Sequence, residues 1–334
     1  MEIRIEGKRL VFGDGLELCF QRTLRIPDDG KRYPLPPGLD SFPLRRVDDY
    51  VDRVPSDWRH HGGVFLPMYQ REAMWLRFSG GWNKPRAVKV AVGKVCAITG
   101  DPWSDTLRAQ PQDYLVTPPQ PWLDGVFVRS GIVRQFVAMP LGLGYTVEGQ
   151  VTGKEVHGGL QVRVFEPRPG RFPETPRRRG FDEFSLVPRT LSMSFCASSP
   201  PEAGAMGLAA GGQMKQKIYP DPHGIETWDP SNSGRIFVHI ANSELWREIT
   251  GEEPPATPVT AKSYAKAGLP WFELYDDERK SLAAQSPLAN IKGTAEIDQE
   301  KSTRPLADDE SAEVRRVRKL WTLFERGLVR DGLW

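Results

Sequence analysis

Glycine and proline constrain this chain more than any other feature: 32 glycines and 30 prolines in 334 residues place a turn-former or helix-breaker at about every fifth position, where average usage gives about one in eight. They follow no collagen-like period. Glycine weakens helix interiors, and proline removes a backbone donor and fixes φ. The chain is therefore expected to fold as short strands joined by tight turns, with few helices: an α+β, β-rich protein whose strands are mainly antiparallel.

The first twenty residues show the pattern. In EIRIEGKRLVFGDGLELCFQR, Ile3 and Ile5 alternate with charges, and Gly13-Asp14-Gly15 separates them from Leu16, Leu18 and Phe20, which is a hairpin signal. Val88, Val90 and Val92 alternate before Gly93, which suggests a bulge. Gly158-Gly159 turn the chain into a strand through Val162 and Val164, and GRIFVHIAN and MKQKIYPD continue in strand register. A helix is expected from about Pro67 to Phe78, where Met68, Tyr69, Ala73, Met74, Trp75 and Leu76 form a broad apolar face ahead of Gly80-Gly81.

Four prolines and five arginines crowd Glu166 to Asp182, with few apolar side chains for packing, so residues 167–182 are expected to be a loop or linker. The organisation that follows is a β-rich body over 1–166, that linker, a second β-containing part over 183–300 and a C-terminal helix over 301–334, with one large domain as the alternative. The small-residue stretch Ser198 to Gly212 is expected to be a loop. Near the C-terminus, acids at Asp308 to Glu313 precede basic residues at Arg315 to Lys319, an order that suits a helix dipole. Val314, Val317, Trp321, Phe324 and Leu328, spaced three and four apart, form a narrow heptad stripe that would dock on the body or on a partner.

The 45 basic and 43 acidic side chains leave a formal charge of +2, so no global field draws the chain to nucleic acid or to a membrane surface. The one basic patch outside the last helix, Arg177 to Arg179 with Arg168 and Arg171, is interleaved only with Phe172 and Phe181 and is expected to be a solvated loop. Nucleic-acid binding is not expected. The longest apolar run, FVAMPLGL from Phe136, is far short of the ~20 residues of a membrane helix. MEIRIEGKRL lacks the apolar centre of a signal peptide. Cys19, Cys96 and Cys196 are odd in number and have no metal or disulfide spacing, which points to a reducing, cytoplasmic setting.

Chemistry has few footholds. His60, His61, His157, His223 and His239 show no HxH, HExxH or HxxxH spacing, so neither metal nor cofactor is expected. His239 alternates onto the same strand face as Phe237, and its plainer role is that of a satisfied sheet histidine. The catalytic alternative is a hydrolase or transferase site in which His239 acts as general base with Asp229, Asn242 and Cys196. Gly211, Gly212 and Lys215 offer a weak anion site, without the GKS or GKT ending of a phosphate loop. Several tryptophans, among them Trp103, Trp122 and Trp271, stand beside prolines or acids in turn-like contexts, where a ring either caps a core or lines a pocket. With no catalytic motif, the leading expectation is a non-catalytic binding or assembly protein that meets a protein partner or another copy of itself.

Overall fold

A computed structural model describes residues 1–80, 83–173, 204–257, 260–275, 279–283, 286–303, 306 and 309–321. Cys196, Arg177 to Arg179, Phe181, Phe324 and Leu328 lie outside the described residues. Among the described residues, seventeen strands join one sheet, almost all of their pairings antiparallel, and six short α-helices decorate it. A second, two-stranded sheet is parallel.

The N-terminal alternation builds a three-strand meander. Ile3–Glu6 pairs with Arg9–Phe12, which pairs with Leu16–Thr23 across the Gly13 to Gly15 turn. Leu16–Thr23 pairs next with Ala73–Ser79, so the residues expected to end a helix form a strand instead. Met74, Leu76 and Phe78 are buried there while Arg77 is exposed. This is period two, and the helical reading had merged both faces into one.

Ala73–Ser79 passes the ladder to Ile132–Pro140, which pairs with Ala205–Lys215. The latter meets the long Trp228–Ala241 strand, which pairs with Leu160–Pro167, and that strand pairs with Arg86–Val92. Strands on either side of the linker expected within 167–182 are thus hydrogen-bonded into one sheet. Gly93 sits in a two-residue turn, Val92 facing Val95, rather than in a bulge. Its φ of +56° suits glycine there.

The second half departs from expectation as well. The small-residue stretch expected as a loop contains the Ala205–Lys215 strand. Its glycines allow close approach: a Cβ on Gly211 would stand 2.6 Å from Val137 Cγ2, and one on Gly212 would stand 2.3 Å from the Pro27 carbonyl oxygen. Much of the segment expected as a C-terminal helix over 301–334 lies outside the described residues; within the described part, Val317–Trp321 is a strand parallel to Trp271–Tyr275. β-branched and aromatic residues at Val317 and Trp321 suit that state. Ser286–Ala289 and Thr294–Glu300 are short helices within 183–300.

One apolar cluster gathers side chains from nearly every strand, from Leu10 and Phe12 to Val238 and Ile240. Most of its charged inclusions are paired with an opposite charge. Lys89, 1% exposed, donates to the Asp113 carboxylate at 2.7 Å and to Ser104 Oγ, and Arg86 donates to Glu166 at 2.8 Å. Burial of such charges is tolerable only with partners of this kind. Among the described residues no helix is long and apolar enough to cross a membrane.

Candidate binding cleft

His239 stands near the C-terminal end of the Trp228–Ala241 strand, beside the short helix Ser56–His61. It is 4% exposed. Its Nε2 lies 2.9 Å from the Gly62 carbonyl oxygen; since that oxygen can only accept, Nε2 carries the proton. The ring stacks on Trp58 at 4.7 Å and 16°, lies parallel to Phe237 at 6.0 Å, and has His61 at 6.3 Å. Burial, reinforced by the neighbouring His61, pushes its pKa down to about 4. The imidazole is therefore neutral at pH 7, and its hydrogen bond goes to backbone rather than to an acid or a nucleophile.

The proposed companions of His239 lie elsewhere. Asp229 accepts from the Ser231 backbone N–H and hydroxyl. It sits ten positions up the same strand, a separation of about 30 Å at ~3.3 Å per residue. Asn242 caps the helix Ser243–Thr250, its Oδ1 accepting from Leu245 N at 2.7 Å. Cys196 lies outside the described residues. Gly211 and Gly212 are strand residues packed against Val137 and Pro27, and the Gly211 carbonyl accepts from Arg134. Lys215 Nζ lies 3.1 Å from Glu273. These three do not form a loop of convergent amides, because the glycines are consumed by the sheet. Val314 is partly buried against the core, and Val317, 43% exposed, lies in the Val317–Trp321 strand; Phe324 and Leu328 lie outside the described residues. Among the described residues no three His, Cys, Asp or Glu side chains are grouped to hold a metal.

An open cleft of about 510 Å³ lies where the segment after the Ala205–Lys215 strand passes Pro118-Pro119. Pro85, Pro118, Pro119, Pro220 and Pro222 form its apolar walls, with Tyr219 and His223 between them, and Arg279 and Lys280 stand at its border. None of these lining residues is acidic.

Two glutamines, 9% and 2% exposed, fix the Tyr219-bearing segment. Gln112 Nε2 donates to the Tyr114 and Tyr219 carbonyls while its Oε1 accepts from Asp221 N. Gln120 Nε2 donates to the Trp122 and Lys217 carbonyls while its Oε1 accepts from Tyr219 N. Side-chain amides that satisfy backbone donors and acceptors in this way replace ladder bonds the prolines cannot make.

The Asp221 carboxylate accepts from Tyr114 Oη at 2.6 Å, Trp228 Nε1 at 2.8 Å and His223 N at 2.8 Å. This holds the turn at Pro220 to His223. The His223 ring meets Phe172 and Trp228 edge-on at 5.0 and 6.0 Å. The Arg279 guanidinium lies over the Tyr219 ring at 5.3 Å, and its carbonyl accepts from Lys217 Nζ. The Leu282 amide donates to the Ile218 carbonyl, tying the Arg279–Lys280 border to the wall. The cleft is thus a rigid apolar surface with cations at one side.

Nothing in the sequence around Pro118-Pro119 or Tyr219 to His223 signals that the two segments meet. Their proximity comes from the Gln112 and Gln120 side-chain hydrogen bonds between segments about a hundred residues apart. No protein-family model, no curated protein and no solved structure matches this chain.

Proposed function

We propose that this chain is a non-catalytic binding protein that receives an extended, acidic segment of a protein partner in the cleft between Pro118-Pro119 and Tyr219 to His223. One observation carries the reading: a preformed apolar cleft bordered by Arg279 and Lys280, with no acid among its described lining residues. Proline and tyrosine faces present rigid apolar area that loses little conformational entropy on contact, and cations at the border select acidic ligands and speed their approach. The proposal is supported by the occupations of the alternative catalytic residues: His239 serves the Gly62 carbonyl, Asn242 a helix N-terminus and Asp229 a local turn.

The test is fluorescence anisotropy with a panel of labelled peptides, each carrying Asp or Glu around one aromatic or leucine side chain, against basic and scrambled neutral peptides. Saturable binding of acidic members is expected, weakened about fivefold by Lys280→Glu, as befits reversal of an exposed charge at a rim. Binding indifferent to Lys280→Glu, or no binding by any acidic member, would overturn the proposal.

A further inference from the structure

Away from the cleft, the outer face of the sheet carries a smaller niche of about 160 Å³ whose chemistry is different. Trp75 lies on the Ala73–Ser79 strand and Trp122 on the adjacent Trp122–Leu123 strand. Trp122 pairs with Arg77, which places it diagonal to Trp75, and the two rings meet at 6.0 Å and 65°. The Leu35–Gly38 segment arches over them. Leu35 and Phe272 exchange two backbone hydrogen bonds, 2.8 and 2.9 Å, which bring the Phe272 ring to the same niche. Three aromatic side chains and an aliphatic arch therefore surround one ionisable group, Asp124.

Asp124 is 3% exposed. Its carboxylate accepts from Gln216 Nε2 at 2.5 Å and from the Trp122 indole, and its backbone N–H donates back to Gln216 Oε1. Five other buried acids of the core differ in kind: Asp28, Glu72, Asp113, Glu166 and Asp298 each pair with an arginine or lysine, while Glu148 is held by the His157 and Gly158 backbone amides and does not line this niche. No lysine or arginine among the described residues pairs with Asp124. Arg77, the register partner of Trp122, is exposed and contacts the Cys19 thiol. Burial pushes the Asp124 carboxyl up to about 8, the behaviour of an acid that lacks a cation.

We propose that this niche binds the quaternary ammonium head group of a small ligand, Trp75, Trp122 and Phe272 facing its methyl groups and Asp124 supplying the counter-charge. Aromatic faces attract such a cation through their quadrupoles. A primary ammonium would bring three N–H donors to a niche with one acceptor side chain, whereas a trimethylated nitrogen brings none. With a water's share of liquid volume at about 30 Å³, the niche holds roughly five heavy atoms, the size of a trimethylammonium group and its first methylene.

The experiment titrates the whole protein at pH 8.5, following tryptophan fluorescence and calorimetric heat, with choline chloride and with its uncharged isostere 3,3-dimethylbutan-1-ol. Choline is expected to bind saturably and about tenfold more tightly than the isostere. Asp124→Asn is expected to remove most of that preference while leaving the isostere's affinity in place, and Trp122→Leu is expected to weaken both. Equal binding of the two ligands by the unaltered protein, or no saturable choline binding, would overturn the proposal whatever the variants do. A trimethyllysine peptide in the same titration separates the carriers of the group. Parity with choline keeps the small-molecule assignment, and tenfold tighter binding of the peptide overturns that assignment in favour of a modified protein.

Discussion

Replacing His239 by glutamine separates a packed histidine from a working base. Glutamine keeps an N–H for the Gly62 carbonyl and a planar end against Trp58, but it cannot take a proton. In the folded protein, burial lowers the His239 pKa from 6.5 to about 4. Between those values the unfolded chain binds a proton that the folded chain refuses, so His239 contributes stability that is present above pH 6.5 and is lost as pH falls towards 4. At about 1.4 kcal/mol for each tenfold change in proton affinity, the loss amounts to about 3 kcal/mol.

Other groups titrate in the same range. Asp124, raised to about 8, acts with the opposite sign, contributing stability below pH 4 that fades as pH rises. The informative quantity is therefore the difference in unfolding free energy between wild type and His239→Gln, measured by urea denaturation at half-unit steps from pH 7.5 to 4. That difference should shift by about 3 kcal/mol against the wild type over the range. A difference that stays flat with pH would show that His239 keeps its proton affinity in the fold, and would refute its assignment to a dry, stacked site.

Further perturbations test the packing around the sites. Asn242→Ala should cost about 1 kcal/mol through loss of the cap on Ser243–Thr250, seen as a lower denaturation midpoint with peptide binding unchanged. Asp113→Asn leaves the Lys89 ammonium without its counter-charge at a site 1% exposed, so stability should fall by about 3–5 kcal/mol. The paired change Lys89→Met with Asp113→Leu should recover much of the loss, with chemical denaturation of the three proteins as the check. Gly212→Ala forces a Cβ towards the Pro27 carbonyl and should destabilise by about 1–3 kcal/mol, whereas a flexible anion loop at Gly211 and Gly212 would accept alanine with little effect.

The β-rich, antiparallel character was legible because turn-formers recur faster than helices can grow, and Ile3 to Phe20 showed period two openly. The Ala73–Ser79 strand was harder to read. Trp75 is apolar on the outward face because it lines the niche, so the alternation of Met74, Leu76 and Phe78 was masked by a residue placed there by the site. The Ala205–Lys215 strand was hidden by its own glycines. Close approach to Val137 and Pro27 is a tertiary demand that local propensity does not encode.

His239 showed its neighbour Phe237 in sequence, but not Trp58 or the Gly62 carbonyl, which arrive from a parallel strand pairing with Val64–Pro67. The cleft and the niche were each visible only as fragments. Pro118-Pro119 and Tyr219 to Pro222 are joined by Gln112 and Gln120, and Trp122 and Phe272 by the Leu35 pairing, all contacts of long sequence separation.

The central claim, that the proline and tyrosine cleft is where a partner binds, is tested most directly by amide hydrogen exchange of the protein with and without a saturating acidic peptide. Slowed exchange at Asp221, His223, Gly224 and Lys280 to Leu282, with no change from Trp58 to Phe65 or from Phe237 to Asn242, is the predicted result. Protection centred on the His239 face, with exchange at residues 219–224 and 280–282 unchanged, would contradict it.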